Sequence, residues 1–396
     1  MAAQDFSSKH HAVVLGGGFA GVEAAIGLAK SGRFRVTLVS ERDFLHLFPI
    51  TIWTPTRAIP TSRTRVSLAE LGRVNHFEVV VDSVASIETD ANSVVLGGQT
   101  LSYDYLVIAL GAGKPKPPGV EHTRSLCAGP DAAIDIRDQL DRLLRRGKGR
   151  IAVGFGGNPK DGSAMRGGPA FEILFNIDHL LRKKGVRDRY ELSFFAPMAT
   201  PGQRMGPKAL AKIGPMLGAR GIHQQVGSPI TGFAADGISF EDGTKLGADL
   251  TLFIPGAVGL PVIAASGLPT NEAGFVKIDA NTLVEGTVNV YAVGDVAALA
   301  GPEWRAKQGH VAEAMAHAAA HNIIKAAQGL NDRIGYAEHV SILCLMDTGS
   351  GGVLVYRSTK RQFAINLPIV GHWFKRGWGF YARNSKLRRF PRLPGL

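Results

Sequence analysis

One unit of strand, glycine-rich turn and helix near the start of the chain limits the fold more than any other feature. The sequence reads HAVVL over residues 11–15, then GGGFAG, then an alanine-rich run with helical spacing over residues 22–30. In a G-x-G-x-x-G turn, Gly16 permits the tight bend, Gly18 lets the backbone approach a pyrophosphate, and Gly21 lets the helix lie close to the strand. The free N–H groups at the start of the helix bind the anion. The pattern predicts a nucleotide-binding α/β domain, with an ordinary tight turn as the alternative.

A ribose ligand is predicted at the end of the next strand. The segment RVTLVSER reads as a buried strand, and Glu41 stands at its end with Ser40 beside it. Glu41 lies 20 residues after Gly21. An acidic residue at about this distance binds the ribose hydroxyls in dinucleotide-binding folds. This placement makes the nucleotide site the favoured interpretation.

Two later segments also read as buried strands that end in small residues. YDYLVIALGA ends at Ala112, and GTVNVYAVGDVAAL carries Gly294 and Asp295 ahead of an alanine-rich helix that starts near Lys307. Each segment alone is as typical of an ordinary core strand. In this order, and with the N-terminal glycine turn, they resemble the FAD-binding half of flavoproteins that have two dinucleotide-binding domains.

That resemblance implies an α/β fold with two Rossmann-like domains of the FAD/NAD(P)-binding type, the second inserted in the first. A chain of 396 residues is long enough for two or three domains. We expect a split FAD domain at 1–112 and 272–335, a second domain at 113–271, and a C-terminal membrane-docking region at 336–396. The residues implied in FAD binding are Gly16, Gly18, Gly21, Ser40, Glu41, Ala112, Gly294, Asp295 and Lys307.

The second domain begins a nucleotide site that its sequence does not finish. The stretch RIAVGFGGNPKDGSAMRGGPAFEILFN has a strand over residues 151–155, but its glycines do not match the motif and the turn continues to about Pro169. A loop of that length cannot press a helix N-terminus against a pyrophosphate beside the strand. A decorated surface loop is one interpretation. We favour the other, in which the domain has lost its nicotinamide and uses a different electron donor.

Several segments resemble sulfide:quinone oxidoreductases, and the first also resembles flavocytochrome c sulfide dehydrogenases. They are GGPAFEILFNIDHLLRKKGVRDR, RSLCAGPDA around Cys127, SILCLMDTGSGGVLV around Cys344, FLHLFPITIW and GHWFKRGWGFYARNSK. The likeness covers nearly the whole chain. It implies an enzyme that takes two electrons from a small reductant, passes them to FAD and delivers them to a quinone.

The chain departs from that family at the middle redox cysteine. The family oxidises sulfide with two cysteines over the flavin, and its pattern places the middle one at Arg166 and the other at Cys344. Cys344 could still react as a thiolate if its pKa is lowered, or it is a buried inert residue. The resemblance puts Cys127 near the outer edge of the flavin and implies a proton-accepting role for Glu172, which could equally interact with a helix dipole.

Arg166 supports two interpretations. A guanidinium directed at the flavin would favour an anionic substrate or stabilise the reduced cofactor. Arg166 could also be a solvated loop residue.

The basic charge of the chain is concentrated at its C-terminal end. Ten lysines and arginines follow Asp347, no acidic residue does, and the net charge of the whole chain is +12. Apolar side chains at 370, 374, 378 and 381 share one helical face, to which Trp373, Phe380 and Phe390 add, whereas Lys375, Arg376 and Arg383 lie away from it. Such a helix is typical of a membrane interface. A core or dimer helix and a nucleic-acid patch are the alternatives.

These features together predict an FAD-dependent oxidoreductase at the cytoplasmic face of a membrane, resembling sulfide:quinone oxidoreductase. We expect the donor to be sulfide or another sulfur species such as a thiol, with no nucleic acid, no metal and no signal peptide; a homo-oligomer is compatible with the sequence. Phe374, Trp378 and Phe380 are candidate walls of the quinone site, and Lys307 and His310 candidate proton donors. The alternatives are a type II NADH:quinone oxidoreductase and a non-catalytic flavoprotein sensor at a membrane.

Overall fold

The computed structural model describes residues 9–392. The N-terminal segment, in which no signal peptide is expected, therefore lies largely outside the described residues. The strands within this range are β1 (His10–Leu15), β2 (Phe34–Ser40), β3 (Phe44–His46), β4 (Arg65–Ser67), β5 (Glu78–Val81), β6 (Val84–Glu88), β7 (Ser93–Leu96), β8 (Thr100–Ser102), β9 (Tyr105–Ile108), β10 (Gly149–Phe155), β11 (Tyr190–Ala196), β12 (His223–Val226), β13 (Ile230–Ala234), β14 (Gly237–Phe240), β15 (Lys245–Gly247), β16 (Leu250–Ile254), β17 (Val290–Ala292), β18 (Ile342–Asp347), β19 (Gly351–Arg357) and β20 (Gln362–Pro368). The α-helices are α1 (Phe19–Lys30), α2 (Leu68–Asn75), α3 (Ala132–Arg146), α4 (Gly168–Lys183), α5 (Pro207–Ala219), α6 (Pro261–Ala265), α7 (Gly309–Ala327) and α8 (Val370–Lys386).

The first sheet is parallel and has the strand order β17-β9-β1-β2-β5. Its central strand β1 is apolar and fully buried from Ala12 to Leu15, as expected for a parallel strand covered on both faces. Helices α1 and α7 pack against each other on this sheet. The strand β17 comes from the far side of the inserted segment, so the sheet joins two separate parts of the sequence.

The second sheet is also parallel, with the order β12-β11-β10-β16, and lies wholly within residues 113–271. Helix α4 packs against β10 and β16, and its buried face includes Phe171, Leu174 and Phe175. The predicted fold class of two Rossmann-like domains is therefore confirmed. The domain boundaries stay a prediction, although each sheet draws its strands from the predicted segments.

A third, antiparallel sheet of β18, β19 and β20 follows in the C-terminal region. Helix α8 crosses this sheet, where Gly371 and Gly352 bring the two backbones together; a Cβ on Gly371 would lie 2.7 Å from the Cα of Gly352. Strand β18 contacts α4. The C-terminal sheet therefore contacts the second domain at α4, the helix that follows the incomplete glycine turn.

Candidate functional site

The turn between β1 and α1 is shaped as a cradle for a pyrophosphate. Gly16 has φ +114°, and a Cβ on Gly21 would overlap the carbonyl oxygen of Gly16, so both positions require glycine. A Cβ on Gly18, by contrast, would meet nothing within 4 Å. Helix α1 begins after Gly18 with no side-chain cap and no acidic residue in its first turn. Its N–H groups are therefore available to an anion, and these residues fit the pyrophosphate of FAD.

The predicted ribose ligands have different surroundings. Glu41 is exposed just beyond the end of β2, which fits the binding of ribose hydroxyls. Ser40 is buried, and its hydroxyl accepts a hydrogen bond of 3.2 Å from the backbone N–H of Arg42. Ser40 therefore shapes the turn, and the role of Glu41 as a ribose ligand stays a prediction.

Asp295, the predicted ligand of the ribityl chain, forms an ion pair with Arg166 in this structure. Arg166 extends from the loop of the second domain and also contacts the Cys127 thiol. The Lys114 ammonium donates to the carbonyl oxygen of Cys127. Arg166 is therefore not a solvated loop residue: it links the second domain to the FAD domain in a small group of positive charges.

Burial raises the pKa of the Cys127 thiol, and the nearby Arg166 and Lys114 charges only partly oppose this effect. Both cysteines are free thiols. Arg166 and Lys114 nevertheless favour binding of a small anion near Cys127. Both cations are partly desolvated, and Asp295 neutralises only one of their two positive charges.

Lys307 lies two residues before α7 begins, and its ammonium donates to the carbonyl oxygen of Ala297. It also lies 3.9 Å from the centroid of the Phe275 ring. Burial lowers its pKa to about 8, against the opposing charges of Asp295 and Asp161. The ammonium is thus held inside the protein close to Asp295, and its role as a cofactor contact stays a prediction.

The loop of the second domain closes the place where a nicotinamide nucleotide would need its pyrophosphate cradle. Phe155 ends β10 and is fully buried, with its ring centroid 6.0 Å from those of both Phe171 and Phe194. A Cβ on Gly167 would lie 2.7 Å from the Phe155 ring, so this ring fills the gap between the strand and α4. Helix α4 begins only at Gly168, so twelve residues separate it from the end of the strand at Phe155.

Internal contacts hold this loop in place. The Asn158 amide donates to the carbonyl oxygen of Ala257 at 2.9 Å, and Asp161 accepts hydrogen bonds from Ser163 and Asn271. The Arg204 guanidinium donates to the carbonyl oxygen of Gly162. The loop is therefore an ordered element of the fold, and it covers the carboxyl end of the sheet.

The second domain also lacks a ribose ligand. Strand β11 ends at Ala196, and the residues that follow, PMATPGQRMG, contain no carboxylate. An acidic residue at this point binds the ribose of NAD in dinucleotide-binding folds. The absence of a carboxylate after β11 is visible in the sequence, but the prediction rested on the glycine spacing alone.

Cys344 lies on β18 close to the start of α4, where a Cβ on Gly168 would be 3.8 Å from its Sγ. Burial, and then the negative charge of Glu172, raise the pKa of the thiol to about 12. The lowered pKa on which a reactive thiolate depends is therefore not favoured by these surroundings, and the role of Cys344 stays a prediction. A protonated thiol is a poor nucleophile, and activity at Cys344 requires a change in its surroundings.

Glu172 is buried and forms an ion pair with Lys375 of α8. It also accepts a hydrogen bond of 2.7 Å from the backbone N–H of Asp347. Burial raises its pKa, although Lys375 opposes the effect. Glu172 is thus an ion-pair partner of α8. It does not lie in the first turn of its own helix α4.

Asp347 is the centre of a buried network that the sequence analysis did not identify. Its Oδ1 accepts from Trp53 Nε1 at 3.3 Å, Asn176 Nδ2 at 2.9 Å and Gly349 N at 2.9 Å, while Oδ2 faces His372 Nδ1 at 2.7 Å. Burial would raise the pKa of Asp347, but these hydrogen bonds outweigh it and lower the pKa. The sequence does show that Asp347 is the last acidic residue of the chain, and that His372 and Lys375 follow it three positions apart.

Helix α8 is amphipathic, but its orientation differs from the predicted one. The exposed side is aromatic: the side chains of Trp373, Phe374 and Phe380 are 61%, 59% and 63% exposed. Lys375 and Lys386 of α8 are buried instead, because the carboxylates that pair with them lie beneath the helix. Lys375 binds Glu172, and Lys386 binds Glu23 of α1 and Glu313 of α7.

Two predicted quinone residues lie apart from the exposed face of α8. Trp378 is half-buried, with its ring centroid 6.4 Å from that of Phe19. His310 lies 3.1 Å from Ser341 Oγ, and burial lowers its pKa to about 4. His310 is therefore neutral near pH 7, and the structure gives it a partner other than α8.

No helix among residues 9–392 combines the length and apolar character needed to cross a bilayer.

Comparison with known proteins gives one family and a consistent group of relatives. The profile of the pyridine nucleotide-disulphide oxidoreductase family matches residues 10–320. The chain is similar to the sulfide-quinone reductase of Aquifex aeolicus, with 26% identity over 94% of this chain and 90% of the relative. It is also similar to the type II NADH:quinone oxidoreductase of Mycobacterium tuberculosis, with 27% identity over 74% of this chain and 68% of the relative.

The solved structure of the sulfide:quinone oxidoreductase from Aquifex aeolicus superposes on this one with a TM-score of 0.86. The superposition has 22% identity and covers 96% of this chain and 92% of that one. The resemblance on which the sequence analysis rested is thereby confirmed.

Proposed function

Because the chain belongs to the pyridine nucleotide-disulphide oxidoreductase family, we propose that it passes two electrons from a small sulfur-containing reductant to a membrane quinone. It is an FAD-dependent oxidoreductase. Bound FAD supplies the two-electron chemistry, and the protein determines which donor and which acceptor can reach it. The match to sulfide-quinone reductase covers 94% of this chain, whereas the match to the type II NADH:quinone oxidoreductase covers 74%.

The exposed aromatic face of α8 is the observation that carries the quinone part of the proposal. Trp373, Phe374 and Phe380 are large apolar side chains directed outward on one helix, and Ile369 and Val370 beside them are also exposed. Exposed apolar patches of this kind mark sites of membrane or partner binding. We propose that α8 docks at the cytoplasmic face of a membrane and that a lipid-soluble quinone enters beside it.

The second domain supports a donor other than NADH. Phe155 fills the space beside the strand, the loop covers the carboxyl end of the sheet, and no carboxylate follows β11. A dinucleotide would have to displace a buried aromatic ring to reach the backbone at this turn. The type II NADH:quinone oxidoreductase is therefore the second candidate.

A small anionic sulfur species fits the residues near the FAD domain. Arg166 and Lys114 lie beside Cys127, and an anion such as hydrosulfide or a thiolate would be attracted to them. Arg166 stands where the family resemblance places the middle redox cysteine. We propose that this enzyme oxidises its donor without the pair of cysteines that the resemblance implies for sulfide oxidation.

Anaerobic reduction of the bound flavin tests the donor. The holoenzyme is mixed in parallel with sulfide, glutathione, NADH and NADPH, and the loss of oxidised-flavin absorbance is followed before a short-chain quinone is added. We expect rapid bleaching by a sulfur donor and recovery of the absorbance with quinone.

Other outcomes of the same experiment would contradict the proposal. Rapid bleaching by NADH alone would favour the type II NADH enzyme. A flavin that can be reduced by light but remains inert toward every donor and toward quinone would favour a non-catalytic sensor.

A further inference from the structure

We propose that His372 is a proton donor for the quinone, and that Asp347 positions its ring and balances its charge. This inference rests on the proposed function, in which a quinone is reduced beside α8. A quinone becomes a quinol by gaining two electrons and two protons, so an apolar site for its reduction requires a proton supply. His372 is the titratable side chain that connects the buried network to the aromatic face.

The carboxylate of Asp347 is fixed by its surroundings. Three donors from separate elements, Trp53, Asn176 and the Gly349 backbone, all bind Oδ1. The other oxygen, Oδ2, is left for His372 Nδ1 at 2.7 Å. The side chain of Asp347 is fully buried, so its orientation does not depend on solvent.

This contact determines the tautomer of His372. An ionised carboxylate can only accept, so Nδ1 must carry a hydrogen and Nε2 is the nitrogen that gains and loses a proton. Among residues 9–392, no hydrogen bond occupies Nε2.

The His372 ring lies next to the aromatic residues of α8. The imidazole is 16% exposed, and its ring centroid lies 6.0 Å from that of Trp373 and 5.1 Å from that of Trp53. Trp373 and Phe374 follow it directly on α8 and are exposed. A quinone ring bound against these aromatic side chains would lie next to His372.

Other charged groups also face His372, from α4, β18 and α8. His179 of α4 interacts with it electrostatically, and the Glu172–Lys375 pair adjoins it through the backbone of Asp347. Arg376 lies 5.5 Å from the centroids of both the Trp53 and Trp373 rings. With Glu172 and Lys375 paired, the charge of Asp347 is balanced when His372 is protonated.

The quinone receives an electron pair from the reduced cofactor; one new O–H bond forms as the Nε2–H bond of His372 breaks, and the second proton comes from solution. The imidazole then regains a proton from water. Asp347 remains ionised throughout, so it acts as a positioning residue.

His372→Asn is the most informative variant, because an amide nitrogen in place of Nδ1 can still donate to Asp347 while Nε2 is lost. His317→Asn, on an exposed position of α7, is the matched control. The flavin of each holoenzyme is first reduced with one equivalent of dithionite, which makes the measurement independent of the natural donor. Reoxidation is then followed with a short-chain quinone and, separately, with ferricyanide, which accepts electrons without protons.

We expect His372→Asn to slow reoxidation by quinone on the order of 100-fold, the size of a general-acid contribution. Reoxidation by ferricyanide, the affinity of the oxidised holoenzyme for quinone and the thermal unfolding midpoint should stay close to those of the control. The wild-type quinone reaction should also be slower in heavy water, and the variant should lose that isotope effect.

Three results would overturn the inference. Quinone reoxidation within about threefold of wild type would show that Nε2 is not needed. Equal slowing with both acceptors would show that the Asp347–His372 contact only holds α8 in place. A wild-type enzyme that reacts with ferricyanide but not with quinone would remove the proposed function itself, and the inference with it.

Discussion

Gly18 and Gly21 belong to the same turn, but the structure gives them different roles. Gly21 has no room for a side chain, because a Cβ would overlap the carbonyl oxygen of Gly16. Gly18 has free space around it and an extended backbone, with φ −85° and ψ −170°, that any residue can adopt. The fold therefore does not require glycine at position 18, where we predict that a bound ligand does, whereas it requires glycine at position 21.

This difference predicts opposite outcomes for two alanine substitutions. Gly18→Ala should cost at most about 1 kcal/mol in unfolding free energy and weaken FAD binding by at least about tenfold, since its Cβ points into the cradle. Gly21→Ala should lower the unfolding free energy of the apoprotein by about 2 kcal/mol or more. Denaturation of the apoprotein and flavin titration measure both. Normal FAD affinity in Gly18→Ala would contradict the assigned cradle.

Cys344 provides a second test at the residue scale. A thiol with a pKa of about 12 is almost entirely protonated near pH 7. With Cys127 replaced by serine, we expect alkylation of Cys344 at pH 7 to be about 1000-fold slower than that of an ordinary thiol. The rate should rise with pH throughout the range in which the protein stays folded.

The charged groups around Cys344 predict how a substitution at Glu172 changes its alkylation rate. Glu172→Gln removes the negative charge that raises the pKa of the thiol and leaves Lys375, which lowers it. Alkylation should therefore become faster, whereas Glu70→Gln on α2 serves as a control that leaves it unchanged. Fast alkylation of the Cys127→Ser protein itself would show that Cys344 is a reactive thiol.

At the scale of elements, α8 was predicted as an amphipathic helix but not in its actual orientation. The spacing of its aromatic residues was sufficient to locate the helix. The sequence could not show that Glu172, Glu23 and Glu313, which are distant along the chain, would lie beneath it and draw Lys375 and Lys386 inward. Long-range ion pairs of this kind leave no periodic signal.

The outward aromatic face predicts membrane binding that depends on apolar contacts. Combined replacement of Trp373, Phe374 and Phe380 by serine should weaken binding to anionic lipid vesicles by about 100-fold, since burying each ring contributes about 1 kcal/mol or more. Val288→Ser, at an exposed position outside α8, is the control. Cosedimentation with vesicles measures the binding. Unchanged binding of the triple variant would exclude this face as the docking surface.

At the scale of the molecule, the residues proposed to surround FAD come from both parts of the first domain and, in one case, from the inserted domain. Gly18 and Glu41 come from the N-terminal part, Asp295 from the part after the insertion, and Arg166 from the inserted domain itself. The first sheet is closed by pairing of β17 with β9, which spans the insertion. A ligand at this site should therefore stabilise the whole chain.

Thermal unfolding of the apoprotein and holoprotein measures this coupling. FAD present at about a hundredfold its dissociation constant should add about 2.7 kcal/mol to the unfolding free energy. The unfolding transition should move as a whole to higher temperature, and the Gly18→Ala variant should move less. A shift confined to one of two separate transitions would show that the domains unfold independently.

The fold was more predictable than the site. Apolar strands, glycine spacing and the order of segments are local signals, and they were sufficient for the two parallel sheets and the cradle at Gly16–Gly21. The Asp347 network could not be predicted in the same way, because Trp53, Asn176 and His372 are brought together only by the packing of three elements. The pKa of Cys344 likewise depends on burial, which the sequence around it does not reveal.

The placement of Arg166 has a consequence for stoichiometry. With two unlinked thiols and an arginine at the position that the resemblance gives to a cysteine, the protein has no disulfide in which to store reducing equivalents. One equivalent of a two-electron reagent should fully reduce each protein molecule, whereas an enzyme with a redox-active cysteine pair would consume two equivalents. Each turnover must then release its oxidised product and discharge its electrons before the next donor molecule can react.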